Sequence, residues 1–115
     1  MSGQPFSITE RESARDGQQV FVVSGPLTST TTQAFLRAVH PARANVVIVD
    51  LTGVPYLDSM GVGALVHVCV SCRRSGRHLA LAGVNARVAL VLKVTGVLPV
   101  FEIFPAAADA EAAFT

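Results

Sequence analysis

The sequence has little of several features that mark specialised classes of protein. It contains no tryptophan, only two cysteines and 15% charged residues, with a formal net charge of +1. Two cysteines cannot support a disulfide-dependent scaffold, and no uninterrupted apolar run approaches the roughly 18 residues that a membrane span needs. Apart from Arg73, Arg74 and Arg77, the basic residues form no block, so the electrostatic footprint of a nucleic-acid-binding protein is weak.

What the sequence does have is apolar content. Half of its residues are apolar, which suffices for the core of one domain spanning residues 1–115. The first residues, MSGQPFSITERES, are polar and charged where a signal peptide needs an apolar stretch. We therefore expect a single-domain, cytoplasmic protein without a membrane span.

Strand patterns alternate with helix patterns along the chain. An N-terminal hairpin is predicted at Asp16-Gly17, and the continuous apolar run NVVIVDL (45–51) predicts a strand covered on both faces. Helices are predicted after Pro26, from about Met60 to Arg74, after Asn85 and near the C-terminus. The order β-β-α-β-α-β-α-β-α predicts an α/β domain that begins with an antiparallel hairpin.

Helical periodicity predicts which faces are buried in the first and last helices. In the first helix, one apolar stripe consists of Ala34, Phe35, Ala38 and Val39. In the last helix, Asp109 and Glu111 are expected to face water. These faces determine how each helix is expected to pack on the sheet.

The helix from about Met60 to Arg74 carries two stripes. Its predicted core face consists of Gly61, Ala64, Leu65, Val68, Cys69 and Cys72. A second stripe points largely to solvent and yet contains apolar residues; it consists of Ser59, Gly63, Val66 and Val70, with His67 beside it. An apolar strip on an exposed helix indicates a surface for a partner, although contact with a neighbouring helix or loop would equally explain the two valines.

The stretch YLDSMGVGAL, residues 56–65, places a serine where a strand gives way to a helix. Asp58 is expected to cap this helix, since its carboxylate can accept a first-turn N–H and favours the positive end of the helix dipole. Ser59 would then present its hydroxyl at an edge where ligands gather in α/β sheets. The residues leave three roles open for it: a nucleophile, part of an anion-binding turn, or a serine that another protein modifies.

Catalytic and metal-binding alternatives have weaker support. A nucleophile elbow needs a glycine where Leu57 stands, and the three histidines lie in no recognisable triad context. The segment GVGALV lacks the third glycine of a dinucleotide-binding fingerprint. Cys69 and Cys72 form a C-x-x-C pair, but both map to the core face and are expected to be buried apolar residues. We therefore expect no catalytic residue, metal or cofactor.

The stretch VDLTGVPYLDSMGVGAL, residues 49–65, resembles the signature of the STAS domain, in particular that of the bacterial anti-sigma factor antagonists. The residues that carry the resemblance are Asp50, Tyr56, Leu57, Asp58, Ser59, Gly61, Val62, Gly63 and Leu65. The segments VFVVSGPL and LALAGVNARVALVLKVTGVLPVFEIF are also similar to the family, so the resemblance covers nearly the whole chain. Met60 departs from the pattern, because the family often has a small residue there.

The resemblance implies a STAS-like single α/β domain, with a mixed four- to five-stranded sheet and helices packed mainly on one face. It implies a non-enzymatic protein that binds an anti-sigma factor with serine kinase activity, releases a sigma factor for transcription, and is switched off by phosphorylation of Ser59. A serine phosphatase would remove the phosphate, and no direct contact with nucleic acid is expected.

Together, the exposed stripe and the resemblance predict which residues bind the partner: Asp58, Ser59, Met60, Gly63, Val66, His67 and Val70. An alternative remains for this helix face. A STAS-like scaffold or a transporter-associated interaction module would use the same surface for constitutive assembly, without phosphorylation.

Overall fold

A five-stranded mixed sheet organises residues 5–114, the part of the chain that the computed structural model describes. Its strands follow the chain in the order Ser7–Glu12 (β1), Gln18–Ser24 (β2), Val46–Gly53 (β3), His78–Ala82 (β4) and Glu102–Phe104 (β5). β1 pairs antiparallel with β2, and every later pair is parallel. The predicted domain of residues 1–115 includes residues 1–4 and 115, which lie outside the described residues.

Helices connect the parallel strands, because a parallel pair needs a crossover rather than a tight turn. They are Thr32–Val39 (α1), Ser59–Arg74 (α2) and Ala86–Val94 (α3), and a short 3-10 helix, Leu98–Val100, precedes β5. A fourth helix, Ala107–Ala113 (α4), follows β5. The predicted order of strands and helices is confirmed. No helix within residues 5–114 is long and apolar enough to cross a membrane.

The sheet is covered on both faces, and β3 shows why its sequence is continuously apolar. Val47 and Val49 point into the main core beneath α1, α2 and α3, whereas Ile48 points to the opposite face. There it packs with Ala107 and Ala110 of α4. Three helices on one face and a short helix on the other confirm the predicted α/β architecture, with helices mainly on one side.

The first helix begins later than its sequence suggests. Thr31 uses its hydroxyl within the preceding loop, accepting the Thr28 N–H at 2.9 Å and donating to the Pro26 carbonyl at 2.9 Å. It makes no side-chain cap to α1. The threonine-rich segment therefore builds a loop after β2, and the helix starts only at Thr32.

Two of the predicted helix faces are partly wrong. In α1, Phe35 and Val39 are buried as predicted, but Ala34 is exposed. In α4, Asp109 faces water as predicted, but Glu111 is half-buried. The eight-residue α1 contacts the sheet through a narrower stripe than its apolar residues suggest, and Glu111 is drawn inwards by charged and polar partners.

Those partners attach α4 to the β1–β2 hairpin. The Glu111 carboxylate accepts a hydrogen bond from Arg11 Nη2 at 2.8 Å and from Ser13 Oγ at 2.6 Å, and Gln18 Nε2 donates to the Glu111 carbonyl at 3.0 Å. The bond from Arg11, followed by that from Ser13, holds the pKa of this carboxyl below its ordinary value. Glu111 thus stabilises the face of the sheet opposite α2.

Candidate functional site

Asp58 caps α2 and also attaches it to the loop that precedes α1. Its Oδ1 accepts the Gly61 N–H at 2.9 Å, and its Oδ2 accepts the Ser29 N–H at 3.0 Å. These backbone donors, Gly61 first, lower the pKa of the Asp58 carboxyl. The carboxylate therefore stays charged at the positive end of the α2 dipole.

Backbone contacts hold the loop after β2 against the start of α2. The Leu27 N–H donates to the Tyr56 carbonyl at 3.2 Å, and the Leu27 carbonyl accepts the Asp58 N–H at 3.2 Å, so that Leu27 and Leu57 form a parallel bridge. A Cβ atom on Gly61 would overlap the Leu27 carbonyl oxygen. The glycine therefore permits the close approach of the two segments.

Ser59 is the first residue of α2, and its side chain is exposed. Among the described residues, the Ser59 hydroxyl has no hydrogen-bond partner. It lies just after the Asp58 cap, where the N–H groups of the first helical turn attract anions. The hydroxyl is accordingly open to another protein, at the positive end of the α2 dipole.

An exposed surface extends from Ser59 along α2. Met60 is 56% exposed and Val70 is 38% exposed, and Gly63 and His67 also face solvent. Val66 differs from the prediction, since it is half-buried and packs against the main core. For Val66, the alternative explanation is therefore correct: this valine contacts neighbouring elements of the same chain.

A groove of about 240 Å³ opens between α1 and α2 beside Ser59. The residues that line it include Thr32, Leu36, Ser59, Met60, Gly63 and His67. A Cβ atom on Gly63 would meet no heavy atom within 4 Å, so this glycine leaves open space rather than permitting a close contact. The groove offers a partner a shallow and mainly apolar depression next to the serine.

The cysteines lie away from this surface. Cys69 and Cys72 are free and buried, and the other four predicted core-face residues of α2 are buried with them. Burial raises the pKa of both thiols, which opposes formation of the reactive thiolate. Within residues 5–114, no group of three or more His, Cys, Asp or Glu side chains could hold a metal ion.

The histidines do not assemble a catalytic pair with the serine. His67 stacks on His40 with ring centroids 5.2 Å apart, and His78 Nδ1 lies 3.2 Å from Glu102 Oε1 at β4 and β5. In the described part of the chain, no histidine nitrogen hydrogen-bonds to Ser59. Within residues 5–114, the Ser59 hydroxyl is therefore hydrogen-bonded to no histidine that could act as its base.

Two residues of the site were not predicted from the sequence. Ser29 donates to Asp58 across 29 residues of sequence, and the only sequence signal was the turn-forming character of the TSTTT segment. Leu36 lines the groove from α1 but lies outside the predicted apolar stripe. Both depend on how α1 and α2 pack together, which periodicity within one helix does not report.

Comparisons with known proteins identify the family of this chain. The model of the STAS domain family matches residues 8–110. The anti-sigma-B factor antagonist of Listeria monocytogenes is 31% identical to this chain over 101 residues, covering 85% of this chain and 88% of that protein.

Solved structures share the fold at lower identity. A crystal structure of a putative anti-sigma factor antagonist from Thermotoga maritima superposes with a TM-score of 0.79 at 22% identity, covering 95% of this chain and 92% of that chain. A sulfate transporter family protein from Wolinella succinogenes gives a TM-score of 0.79 at 22% identity, covering 89% of this chain and 88% of that chain. Sequence and fold together show that the chain belongs to the STAS domain family.

Proposed function

We propose that this protein is an anti-sigma factor antagonist. It binds an anti-sigma factor, frees a sigma factor to act in transcription, and loses that binding when Ser59 is phosphorylated. The name of the Listeria relative supports the general role. The observation that carries the switch is the exposed Ser59 hydroxyl beside the apolar groove between α1 and α2.

The proposed switch acts on the surface and leaves the fold intact. A phosphate adds about −1.5 to −2 charges, and the first-turn N–H groups of α2 lie beside it. A partner shaped for a neutral hydroxyl would have to desolvate that charge without a counter-ion, which weakens binding. The cap interactions of Asp58 with Gly61 and Ser29 do not involve the Ser59 hydroxyl.

We propose that two other proteins add and remove the phosphate on Ser59. The anti-sigma factor would act as the serine kinase, and a serine phosphatase would restore the hydroxyl. The exposure of Ser59 supports access by both enzymes, and the protein would work in the cytoplasm with RNA polymerase and its sigma factors.

A calorimetric titration with the purified anti-sigma factor of the same organism tests the proposal. We expect the wild type and Ser59→Ala to bind alike, Ser59→Glu to bind at least about tenfold more weakly, and Ser7→Glu, an exposed serine of β1, to bind as the wild type does. With ATP and the kinase, intact-mass measurement should show one added phosphate, absent from Ser59→Ala. Equal affinities of the wild type and Ser59→Glu would rule out the switch.

A second candidate is a transporter-associated STAS module, which the fold shared with the Wolinella sulfate transporter family protein favours. Such a module would use the α2 face for constitutive assembly. Incubation with the kinase and ATP separates the candidates, because this one predicts no gain of phosphate and the same assembly by the Ser59→Glu variant.

A further inference from the structure

A second depression adjoins the groove beside Ser59 at His67 and lies between the C-terminal half of α2 and His40, the residue that ends α1. The second depression has a volume of about 530 Å³ and is lined by His40, His67, Val70, Ser71, Arg74 and Ser75. His67 lines both depressions. From Gly63 to Arg74 the surface extends along α2 for about 16 Å, at a rise of about 1.5 Å per residue. We call the two adjoining depressions together the α1–α2 groove.

The two halves of the α1–α2 groove differ in chemistry. The half near Ser59 offers Met60 and the half-buried Leu36 around the open space at Gly63. The half near the helix ends offers Arg74 and the stacked rings of His40 and His67. No carboxylate lines either half among the described residues.

Basic and acidic residues of the whole molecule also lie in different places. Helices α1, α2 and α3 with their flanking loops, residues 25–45, 54–77 and 83–100, form a helix layer. That layer carries seven of the nine basic side chains: two on α1 and the loop after it, three at or just after the end of α2, and two on α3. Its one carboxylate is Asp58, which is engaged with backbone N–H groups. The other seven carboxylates lie on the hairpin, the sheet and α4.

Helix dipoles do not account for this surplus. Basic residues do favour helix C-termini, and Arg37, Arg73, Arg74 and Lys93 lie in last turns. Each helix end carries the equivalent of only about half a charge, so three helices balance about 1.5 of a net excess of about six. Six of the seven basic residues are exposed and Arg77 is half-buried, so the excess creates a positive field over the helix layer.

We infer that the α1–α2 groove binds an acidic amphipathic helix of the partner protein. Its apolar residues would lie against Met60 and Leu36, and its carboxylates against Arg74 and the two histidines. The complementary charge of the helix layer favours an acidic partner. A helix fits better than an extended strand, because strand addition needs a free sheet edge, whereas a groove between helices is read by side chains alone. This inference rests on the proposed function and adds the chemistry of the partner segment.

The inference also links the groove to the serine. A phosphate on Ser59 would lie at the apolar end of the α1–α2 groove and would lower the surplus of the helix layer from about +6 to about +4. It would thus repel an acidic helix at close contact and weaken the positive field that attracts the helix.

Two matched charge reversals test the inference with the anti-sigma factor. Arg74→Glu changes a groove residue, whereas Lys93→Glu makes the same charge change on α3 outside the groove. We expect Arg74→Glu to weaken binding at least about tenfold, mainly through faster dissociation, and Lys93→Glu to weaken it less than about threefold, mainly through slower association. Equal losses in the two variants would overturn the groove while leaving the proposed function in place.

A second probe does not depend on the identity of the partner. The probe is a synthetic helical peptide of about 14 residues that is titrated into ¹⁵N-labelled protein. Leucines lie on one face of its first half, and glutamates lie on the same face of its second half. We expect chemical-shift changes along α1 and α2, lost with a glutamine analogue and with Arg74→Glu. Shifts on another face, or equal shifts with the analogue, would refute the groove. If the peptide binds as expected and the anti-sigma factor does not bind at all, only the proposed function fails.

Discussion

The Asp58 carboxylate and the Ser29 backbone N–H are joined by a 3.0 Å hydrogen bond that spans 29 residues of sequence. The other carboxylate oxygen caps α2 through Gly61. One side chain therefore fixes both the start of α2 and the loop before α1. Ser59 follows directly in sequence, so the orientation of its hydroxyl depends on a neighbour that is itself held from two sides.

Replacing Asp58 with alanine or asparagine should separate these two contacts. Alanine removes both and should lower the free energy of unfolding by about 0.5–2 kcal/mol, the usual cost of losing an N-cap. Asparagine has one carbonyl oxygen and should keep the cap while losing the bond to Ser29. Urea titration measures stability, and amide hydrogen exchange of Ser29 reports the loop.

Asparagine at position 58 gives the sharper comparison. We expect near-wild-type stability together with faster exchange of the Ser29 amide. Unchanged exchange at Ser29 in both variants would show that the loop is held by the Leu27 backbone contacts alone.

Gly61 and Gly63 form a matched pair, two residues apart on one helix. A Cβ on Gly61 would overlap the Leu27 carbonyl, whereas a Cβ on Gly63 would enter open space. We expect Gly61→Ala to lower the free energy of unfolding by about 1–3 kcal/mol through overpacking. Gly63→Ala should raise it by about 0.5–1 kcal/mol, because alanine favours a helix over glycine. Urea denaturation of both variants checks the signs, and two changes of the same sign would contradict this account.

Much of the fold can be predicted from the sequence, because the buried residues recur with the regular spacing of strands and helices. The apolar run of β3 predicts a strand covered on both faces, and the helical spacing from Gly61 to Cys72 predicts the buried face of α2. The capping residues Asp58 and Asn85 are also recognisable, since each precedes an apolar helical pattern and bonds to the N–H three residues later.

What the sequence did not predict depends on contacts between distant segments. Glu111 resembles a solvent-facing residue until β1 brings Arg11 and Ser13 beside it. Charges appear dispersed along the chain, and only the fold gathers the basic ones on the helix layer. Ala34 fits an apolar stripe, but the eight-residue α1 buries Thr32, Phe35 and Val39 and leaves Ala34 exposed.

The hydrogen bonds that Glu111 accepts from Arg11 and Ser13 should make the free energy of unfolding depend on pH. The pKa of Glu111 is lower in the folded protein than its ordinary 4.5, so the folded state binds fewer protons. The stabilisation is therefore complete above pH 4.5 and is lost as the pH falls through the folded pKa. We expect Glu111→Gln to cost about 1–2 kcal/mol at pH 7 and to match the wild type more closely at pH 3. Urea titrations at pH 7 and at pH 3 measure the two differences in the free energy of unfolding. A difference between wild type and variant that does not change with pH would contradict a stabilising role for the Glu111 carboxylate.

Negative charge at position 59 should leave the fold undisturbed. Glu in place of Ser59 lies at the first turn of α2, where the dipole contributes about 0.3–1 kcal/mol in its favour and the Asp58 carboxylate offsets part of that gain. We expect the free energy of unfolding to change by less than about 1 kcal/mol. Leu65→Glu, on the buried face of the same helix, is the control and should lose several kcal/mol, because it places an unpaired carboxylate in the core.

Thermal and urea denaturation of both variants decides how a phosphate at position 59 could act. If Ser59→Glu is as stable as the wild type, any loss of partner binding arises at the surface, where the new charge meets the partner. If Ser59→Glu instead loses stability as Leu65→Glu does, the charge has released the start of α2 from Leu27 and Ser29, and weaker binding would follow from local unfolding. The exposure of Ser59, and the absence of its hydroxyl from the bonds that hold the described residues together, predict the first result.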